Sequence, residues 1–353
     1  MAEASTLPMI ATHGAERLPA VEVDSYNVEI KDDEGFIGDH ASKGAFRDII
    51  ENWRKALRKN GEDPFGDADS KDLTKKDFDE ALAKGDPEAA GVIQGAVEDY
   101  SQELALIVRR FLKLKTWKDT QRLAIGGGFR ASRVGEIAIG RTSVILRADG
   151  NDIELVPIHN DPDEAGLIGA AHLAPKWLFK GFDAILGVDI GGTNIRAGVV
   201  DLNLKKAGDL SKARVFKSDL WRHADEKKVD REGAVEWLVD MLKKLIAAAG
   251  KEKLKLAPFI GIGCPGMIEQ DGSIDRGAQN LPGNWESSKF NLPALLHEAI
   301  PKIGDDDTAI VMHNDAVVQG LSEVPFMTDV QFWGVLTIGT GLGNARFTNR
   351  KTD

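Results

Sequence analysis

Two stretches of this sequence set a glycine turn between apolar runs, and one of them carries an acidic residue beside the turn. In I-L-G-V-D-I-G-G-T-N-I-R-A-G-V-V (185–200), Asp189 and the turn Gly191-Gly192-Thr193-Asn194 separate two β-branched runs, 185–190 and 195–200. Glycines let backbone N–H groups come close to a phosphate. Thr193 adds a hydroxyl donor, and Asp189 can hold Mg²⁺ directly or through water. The plain alternative is an ordinary hairpin with a buried-edge Asp. V-L-T-I-G-T-G-L-G-N-A-R-F (335–347) repeats the pattern around Gly339, Thr340 and Gly341.

A phosphoryl transfer also needs a base beside the acceptor hydroxyl, and Asp315 in H-N-D-A-V-V-Q-G is the candidate. It follows the apolar run 308–312 and precedes a helix, which puts its carboxylate at a strand end near a helix N-terminus. Capping of that helix by Asn314 or Asp315 explains the residues equally well. Asn280, in N-L-P-G-N-W, offers a donor and an acceptor to a vicinal diol, yet the same segment is turn chemistry. Gly266 in C-P-G permits close backbone approach. Cys264 precedes a proline with no base in evidence and reads as structural. Gly126-Gly127-Gly128 ends the run 122–125 before a helix, which suits backbone contact with a nucleotide or a flexible turn. The run G-T-G-L-G-N leads into a strand, which weakens a Rossmann reading, and no G-x-x-x-x-G-K-[ST] occurs.

With I-G-I-G-C-P-G-M-I (260–268), Q-N-L-P-G-N-W (279–285) and V-M-H-N-D-A-V-V-Q-G (311–320) between them, the two turns resemble the ROK family of sugar kinases and regulators. The resemblance implies an α/β, two-lobed actin/hexokinase-like (ribonuclease H-like) ATPase fold. It makes Asp315 the catalytic base, assigns Asn280, Asn314 and Gly266 to sugar, and assigns Asp189 to Mg²⁺. Gly191, Gly192, Thr193, Asn194, Gly339, Thr340, Gly341, Gly126, Gly127 and Gly128 then meet the nucleotide. Residues 116–176 resemble the family's adenosine-binding region and C-terminal helix, which come last in the family, and 85–105 resembles a helix of its second lobe. The chain is therefore read as circularly permuted. The larger lobe is expected to comprise 1–162 with 329–353, and the smaller 163–328. A separate N-terminal domain fused to half a kinase is the competing reading.

The implied function is ATP-dependent phosphorylation of a hydroxyl of a hexose or related sugar, glucokinase-like, with ATP and Mg²⁺. The alternative is a non-catalytic sugar- or nucleotide-binding regulator on the same fold. The family's zinc segment needs cysteines that this chain lacks outside Cys264, so no zinc is expected. Glu22 then stands for the family's sugar-binding carboxylate, with Ser25 and Gly38 at the places of its His and second Glu, and Asp39 adjacent. The family's partners imply a small sugar, and they allow a homodimer.

Those residues need strands and helices to position them, and the pattern along the chain alternates both. Residues 1–20 read as a loose lead-in, 20–30 as a strand, 44–58 as an amphipathic helix and 60–76 as a polar surface loop whose charges face solvent. Asp86 caps a helix over 87–112 with Pro87 at its first position. A helix over 231–249 buries Val235, Leu238, Val239, Leu242, Leu245 and Ile246, with Trp237 read as packing. A helix over 163–174 packs on the lobe that begins at 185. The formal charge of −11 argues against a nucleic-acid surface. One cysteine suits a reducing compartment. Without an 18-residue apolar run or a basic leader, the expectation is a cytoplasmic protein with no membrane contact.

Overall fold

The computed structural model describes residues 12–33, 35–84, 86–226 and 229–351. The first eleven residues of the expected lead-in lie outside the described residues. In chain order the elements are β1 (Val21–Tyr26), α1 (Lys43–Asn60), α2 (Lys75–Lys84), α3 (Pro87–Leu112), β2 (Arg122–Gly126), α4 (Arg133–Ala148) and β3 (Glu154–Pro157). Next come α5 (Pro162–Gly169), β4 (Ala184–Ile190), β5 (Ile195–Asp201), β6 (Arg214–Trp221), α6 (Arg231–Lys251) and β7 (Leu256–Cys264). The chain continues through α7 (Leu292–Ala299), β8 (Ala309–Asn314), α8 (Asp315–Leu321), β9 (Phe332–Ile338) and β10 (Leu342–Asn349). Among the described residues no helix is long and apolar enough to cross a membrane.

The chain divides into two compact units: the first holds 1–24, 164–328 and 348–353, the second 25–163 and 329–347. Among the described residues, 12–24 and 348–351 thus group with 164–328, whereas the sequence reading attaches them to the other lobe. The reason is local: Arg350 donates its N–H to the Ala20 carbonyl and its guanidinium to the carbonyls of Leu18 and Pro19, and the Thr348 hydroxyl binds the Asp24 carboxylate.

The first unit's sheet has the order β6-β5-β4-β7-β8. β4, β5 and β6 form an antiparallel meander, and β7 and β8 add to β4 in parallel. Counted along the chain this is third-second-first-fourth-fifth. β4 and β7 are buried at every position, as strands covered on both faces must be. α6 covers the sheet with Leu238, Leu242 and Leu245, and the Asp230 side chain caps it by accepting the Gly233 N–H. α5 and the 3₁₀ turn after it lie so close to the sheet that glycine is needed at the contacts. A Cβ at Gly187 would sit 2.7 Å from the Leu167 carbonyl, and one at Gly261 2.7 Å from the Ala170 carbonyl. The expected packing of 163–174 on this lobe is what these contacts describe.

The second unit's sheet is β1-β10-β9-β2-β3, with β9, β2 and β3 parallel. α1, α3 and α4 pack over it through Phe46, Ile50, Tyr100, Leu104, Val108 and Leu146, all buried. α3 has the expected bounds, and its cap Asp86 accepts the Glu88 N–H. The polar stretch 60–76 is more than a solvated loop. Arg54, fully buried on α1, reaches into it and donates to Asp63, Ser70 and the Ala68 carbonyl at 2.8, 2.8 and 2.7 Å. Helix α2, which follows, is absent from the sequence reading.

One further expectation changes. Residues 12–20 are not a loose lead-in: the Gly14 N–H donates to the Met312 carbonyl, and Met312 N–H donates to His13 Nδ1, which lays this segment along β8. Trp237 is not core. It is 47% exposed and stacks on Trp221, with ring centroids 5.4 Å apart and planes 8° from parallel.

Candidate active site

The chemistry-bearing residues of the first unit gather at the ends of β4, β7 and β8, where parallel strands deliver their last residues to one edge of the sheet. Asp189 is the penultimate residue of β4 and is paired with Gly263 of β7, while Asn314 ends β8 opposite Cys264. Asp315 starts α8 directly afterwards. A Cβ on Gly263 would meet the Asp315 backbone at 3.4 Å, so a small residue on β7 lets the two strand ends close up.

The Asp315 carboxyl is raised to about 7, first by burial and then by the negative charge of Asp189. The Ala316 N–H donates to it at 2.9 Å, which holds its orientation and only partly offsets that rise. Asp315 still keeps partial exposure. A carboxyl raised toward neutrality, close to a second carboxylate and not fully enclosed, can accept a proton from an approaching hydroxyl. Cys264 sits between these groups, buried, and the same burial and charges push its thiol well up. It is a packing residue, as the sequence suggests.

Asn314 is a cap. Its side-chain oxygen accepts from Ala316 and Val317 N–H, and its amide donates to the Gly266 carbonyl at 3.0 Å. Gly266 has φ +101, and a Cβ there would lie 2.5 Å from the Arg276 carbonyl, so the close approach it permits is by the protein's own backbone. His313 is locked beneath them. Its Nδ1 accepts the Asn314 N–H, its Nε2–H donates to the Ala15 carbonyl at 3.2 Å, and burial holds it down to about 4 and neutral.

The turn 191–194 closes β4 and β5 with a bond from Gly191 N–H to the Asn194 carbonyl, 2.8 Å. Neither Gly191 nor Gly192 has positive φ, so the backbone does not demand glycine here. At Gly191 a Cβ would meet nothing closer than 3.6 Å; at Gly192 it would meet the Asn280 side chain at 3.1 Å. Asn280 therefore lies against this turn. It is exposed, and its amide has no hydrogen-bond partner among the described residues. The loop around it is braced by other groups: Glu286 accepts the Ala278 N–H, Trp285 Nε1 donates to the Pro282 carbonyl, and Arg231 to the Asn284 carbonyl.

Glu22 points outward from β1 and is exposed, one residue from the buried Val21 and Val23. Ser25 follows it with a buried hydroxyl, and Gly38 packs on the Phe36 ring.

In the second unit the glycines divide into two kinds. Gly126 is packed, with Ile158 3.2 Å from its would-be Cβ, and Gly127 has φ +83 and a would-be Cβ only 2.3 Å from the Ile338 carbonyl oxygen. Their glycine character is explained by folding. Gly128 and Gly341 have nothing within 4 Å, and Gly339 meets only Gly341 at 3.8 Å. Those three leave room for a ligand against the backbone.

A hard divalent cation fits the first unit's donor set. Mg²⁺ takes one or two carboxylates together with phosphate and water, and Asp189 and Asp315 supply two carboxylates in one buried setting. Besides His313, the sequence reading missed one neighbour of these groups. Gly166 of α5 faces Asp189, and a Cβ on it would lie 2.7 Å from Asp189 Oδ1. Only its place in the small-residue run A-G-L-I-G-A-A hints at this.

A meander followed by two parallel strands on the far side of the first strand defines the α/β ribonuclease H-like sheet of the actin/hexokinase-like class. The model of the ROK family matches residues 185–352. Over 167 residues the chain is 29% identical to a glucokinase of Thermotoga maritima, covering 47% of this chain and 44% of the relative. It thus spans about half the length of the curated relative it matches. Similar solved structures include a ROK family glucokinase from Streptomyces griseus in complex with glucose and AMPPNP, 22% identical, TM-score 0.35, covering 48% of this chain and 47% of that one. Another is a ROK hexokinase from Thermus thermophilus, 26% identical, TM-score 0.27, covering 38% and 35%.

Proposed function

We propose that this protein is an ATP-dependent kinase that transfers the γ-phosphoryl group to a hydroxyl of a hexose or related sugar. The observation that carries the reading is Asp315, a carboxyl raised to about 7 at the end of β8 beside the charge of Asp189. A base working near neutral pH is best served by such a value. In this reading Asp315 takes the proton of the acceptor hydroxyl as its oxygen attacks phosphorus. Asn280 orients the sugar through its unpartnered amide, and Asn314 holds the start of α8 so that Asp315 keeps its place. Asp189, seated between β7 and α5, would hold Mg²⁺, and the open backbone at Gly191 would receive phosphate. Mg²⁺, when bound, supplies neutralisation of the phosphate charge.

The same reading takes the chain as a circular permutant. It is supported by strand order. Counted from β9 through the end of the chain to β1 and on to β2 and β3, the second sheet reads third-second-first-fourth-fifth, the same as the first. Two equal sheets suit a duplicated fold whose second copy begins at β9.

The test is release of ADP from Mg-ATP over a panel of hexoses, amino sugars and N-acetyl sugars. Saturable turnover with at least one sugar is expected. Binding of a sugar without any turnover would replace the kinase with a non-catalytic sensor.

A further inference from the structure

The second unit contains a group of cations that neither the sequence motifs nor the family segment accounts for. Lys43 begins α1 and donates its backbone N–H to the Gly339 carbonyl at 3.0 Å. Arg47 lies one turn on and donates to the Leu73 carbonyl at 3.0 Å. Lys75 begins α2, and its ammonium donates to the Gly128 carbonyl at 2.9 Å. The two turns whose glycines are open, at 128 and at 339–341, are therefore each tied to one of these lysines. Arg47 Nε is buried and has no acceptor. None of the three cations is ion-paired with a carboxylate among the described residues. Burial lowers the Lys43 ammonium, and the charges of Arg47 and Lys75 lower it further, so both cations repel Lys43 where it stands.

Three unpaired cations gathered in a chain of net charge −11 are an unfavourable arrangement that a bound anion would relieve. The scaffold keeps them there. The buried Arg54 fixes the loop 63–70 from below, and the Arg47 bond to Leu73 fixes its end, so Lys75 is delivered to Gly128.

We propose that Lys43, Arg47 and Lys75 grip the phosphate chain of the phosphoryl donor over the open glycine backbone at 128 and 339–341. The proposal rests on the kinase reading for the identity of the donor, while the anion site itself does not depend on it. Ammonium and guanidinium groups make charge-assisted bonds to phosphate oxygens, and the glycines let the backbone come within reach.

The experiment compares wild type with Lys43→Ala/Lys75→Ala, using Lys71→Ala, an exposed lysine outside the group, as a surface-lysine control. Titrations with Mg-ATP, inorganic tripolyphosphate and adenosine are read by calorimetry, with melting temperature checked for each variant. The double variant should weaken Mg-ATP and tripolyphosphate by on the order of tenfold to a hundredfold, with adenosine unchanged and a shallower salt dependence. Lys71→Ala should match wild type. If the double variant fails to fold, Lys43→Gln and Lys75→Gln singly must each weaken tripolyphosphate. Tripolyphosphate binding by a wild type that phosphorylates no sugar would keep the site and discard the kinase. Sugar turnover with Mg-ATP affinity unchanged in the variants would keep the kinase and overturn the site, as would a wild type that binds no tripolyphosphate.

Discussion

A Cβ on residue 166 would lie 2.5 Å from the carboxylate carbon of Asp189, so α5 can rest on that side chain only because Gly166 has none. Asp189 is 5% exposed and has little freedom to step aside. Gly166→Ala should therefore displace the carboxylate while adding a better helix former, a gain of up to about 1 kcal/mol in propensity. The expected result is a folded protein whose kcat/KM for Mg-ATP falls by on the order of tenfold or more and whose Mg²⁺ requirement rises. Unchanged magnesium dependence would show that Asp189 does not hold the metal.

Asp315→Asn keeps shape and removes the base. On the proposed mechanism kcat falls by on the order of 10²–10⁴-fold, while affinity for Mg-ATP stays close to wild type. A kcat equal to wild type would take Asp315 out of the reaction.

The pH dependence follows from the same carboxyl. Asp315 must be ionised to accept a proton and is raised to about 7, so kcat/KM should climb as pH rises through about 7 and then level off. A profile flat between pH 5 and 8 would contradict this. Stability runs the other way. The native carboxyl holds its proton to higher pH than the unfolded one, so stability is lost as pH rises from the ordinary Asp range toward about 7. Asp315→Asn should melt like wild type near pH 4 and higher than wild type at pH 8.

How far the sequence disclosed this site depends on the range of the interaction concerned. The 189–194 turn and the Asp86 cap were legible because alternation and capping are local. The unpartnered amide of Asn280, the Gly166 contact and the anchoring of His13 and Gly14 on β8 were not, since each depends on segments far apart in the chain. The charges of 60–76 read as a solvated face; only the Arg54 anchor and the Lys75 bond to Gly128 distinguish them.

Separating sugar from nucleotide calls for Asn280→Ala, not a change at Gly192. A side chain at 192 would press on Asn280 at 3.1 Å and disturb both functions together. Asn280→Ala should raise KM for sugar by on the order of tenfold or more and leave Mg-ATP binding intact, since the amide has no structural bond to lose. If it lowers the melting temperature and leaves KM alone, Asn280 is a turn residue.

The permuted reading predicts that the order of segments can be restored. Lys180 and Gly181 are exposed, and Gly181 has φ +88, marks of a loop that tolerates a break. At the other junction Arg350 binds the carbonyls of Leu18 and Pro19, so the described residues near both ends of the chain already meet in the first unit. Joining 351 to 12 through a short flexible linker costs little loop entropy for that reason, and a new start at Gly181 places β4 first and α5 near the end. The rearranged protein should melt within a few degrees of the parent and bind Mg-ATP with similar affinity. Loss of cooperative melting would mean that the present order of segments is required for the fold, and the permutation would have to be abandoned.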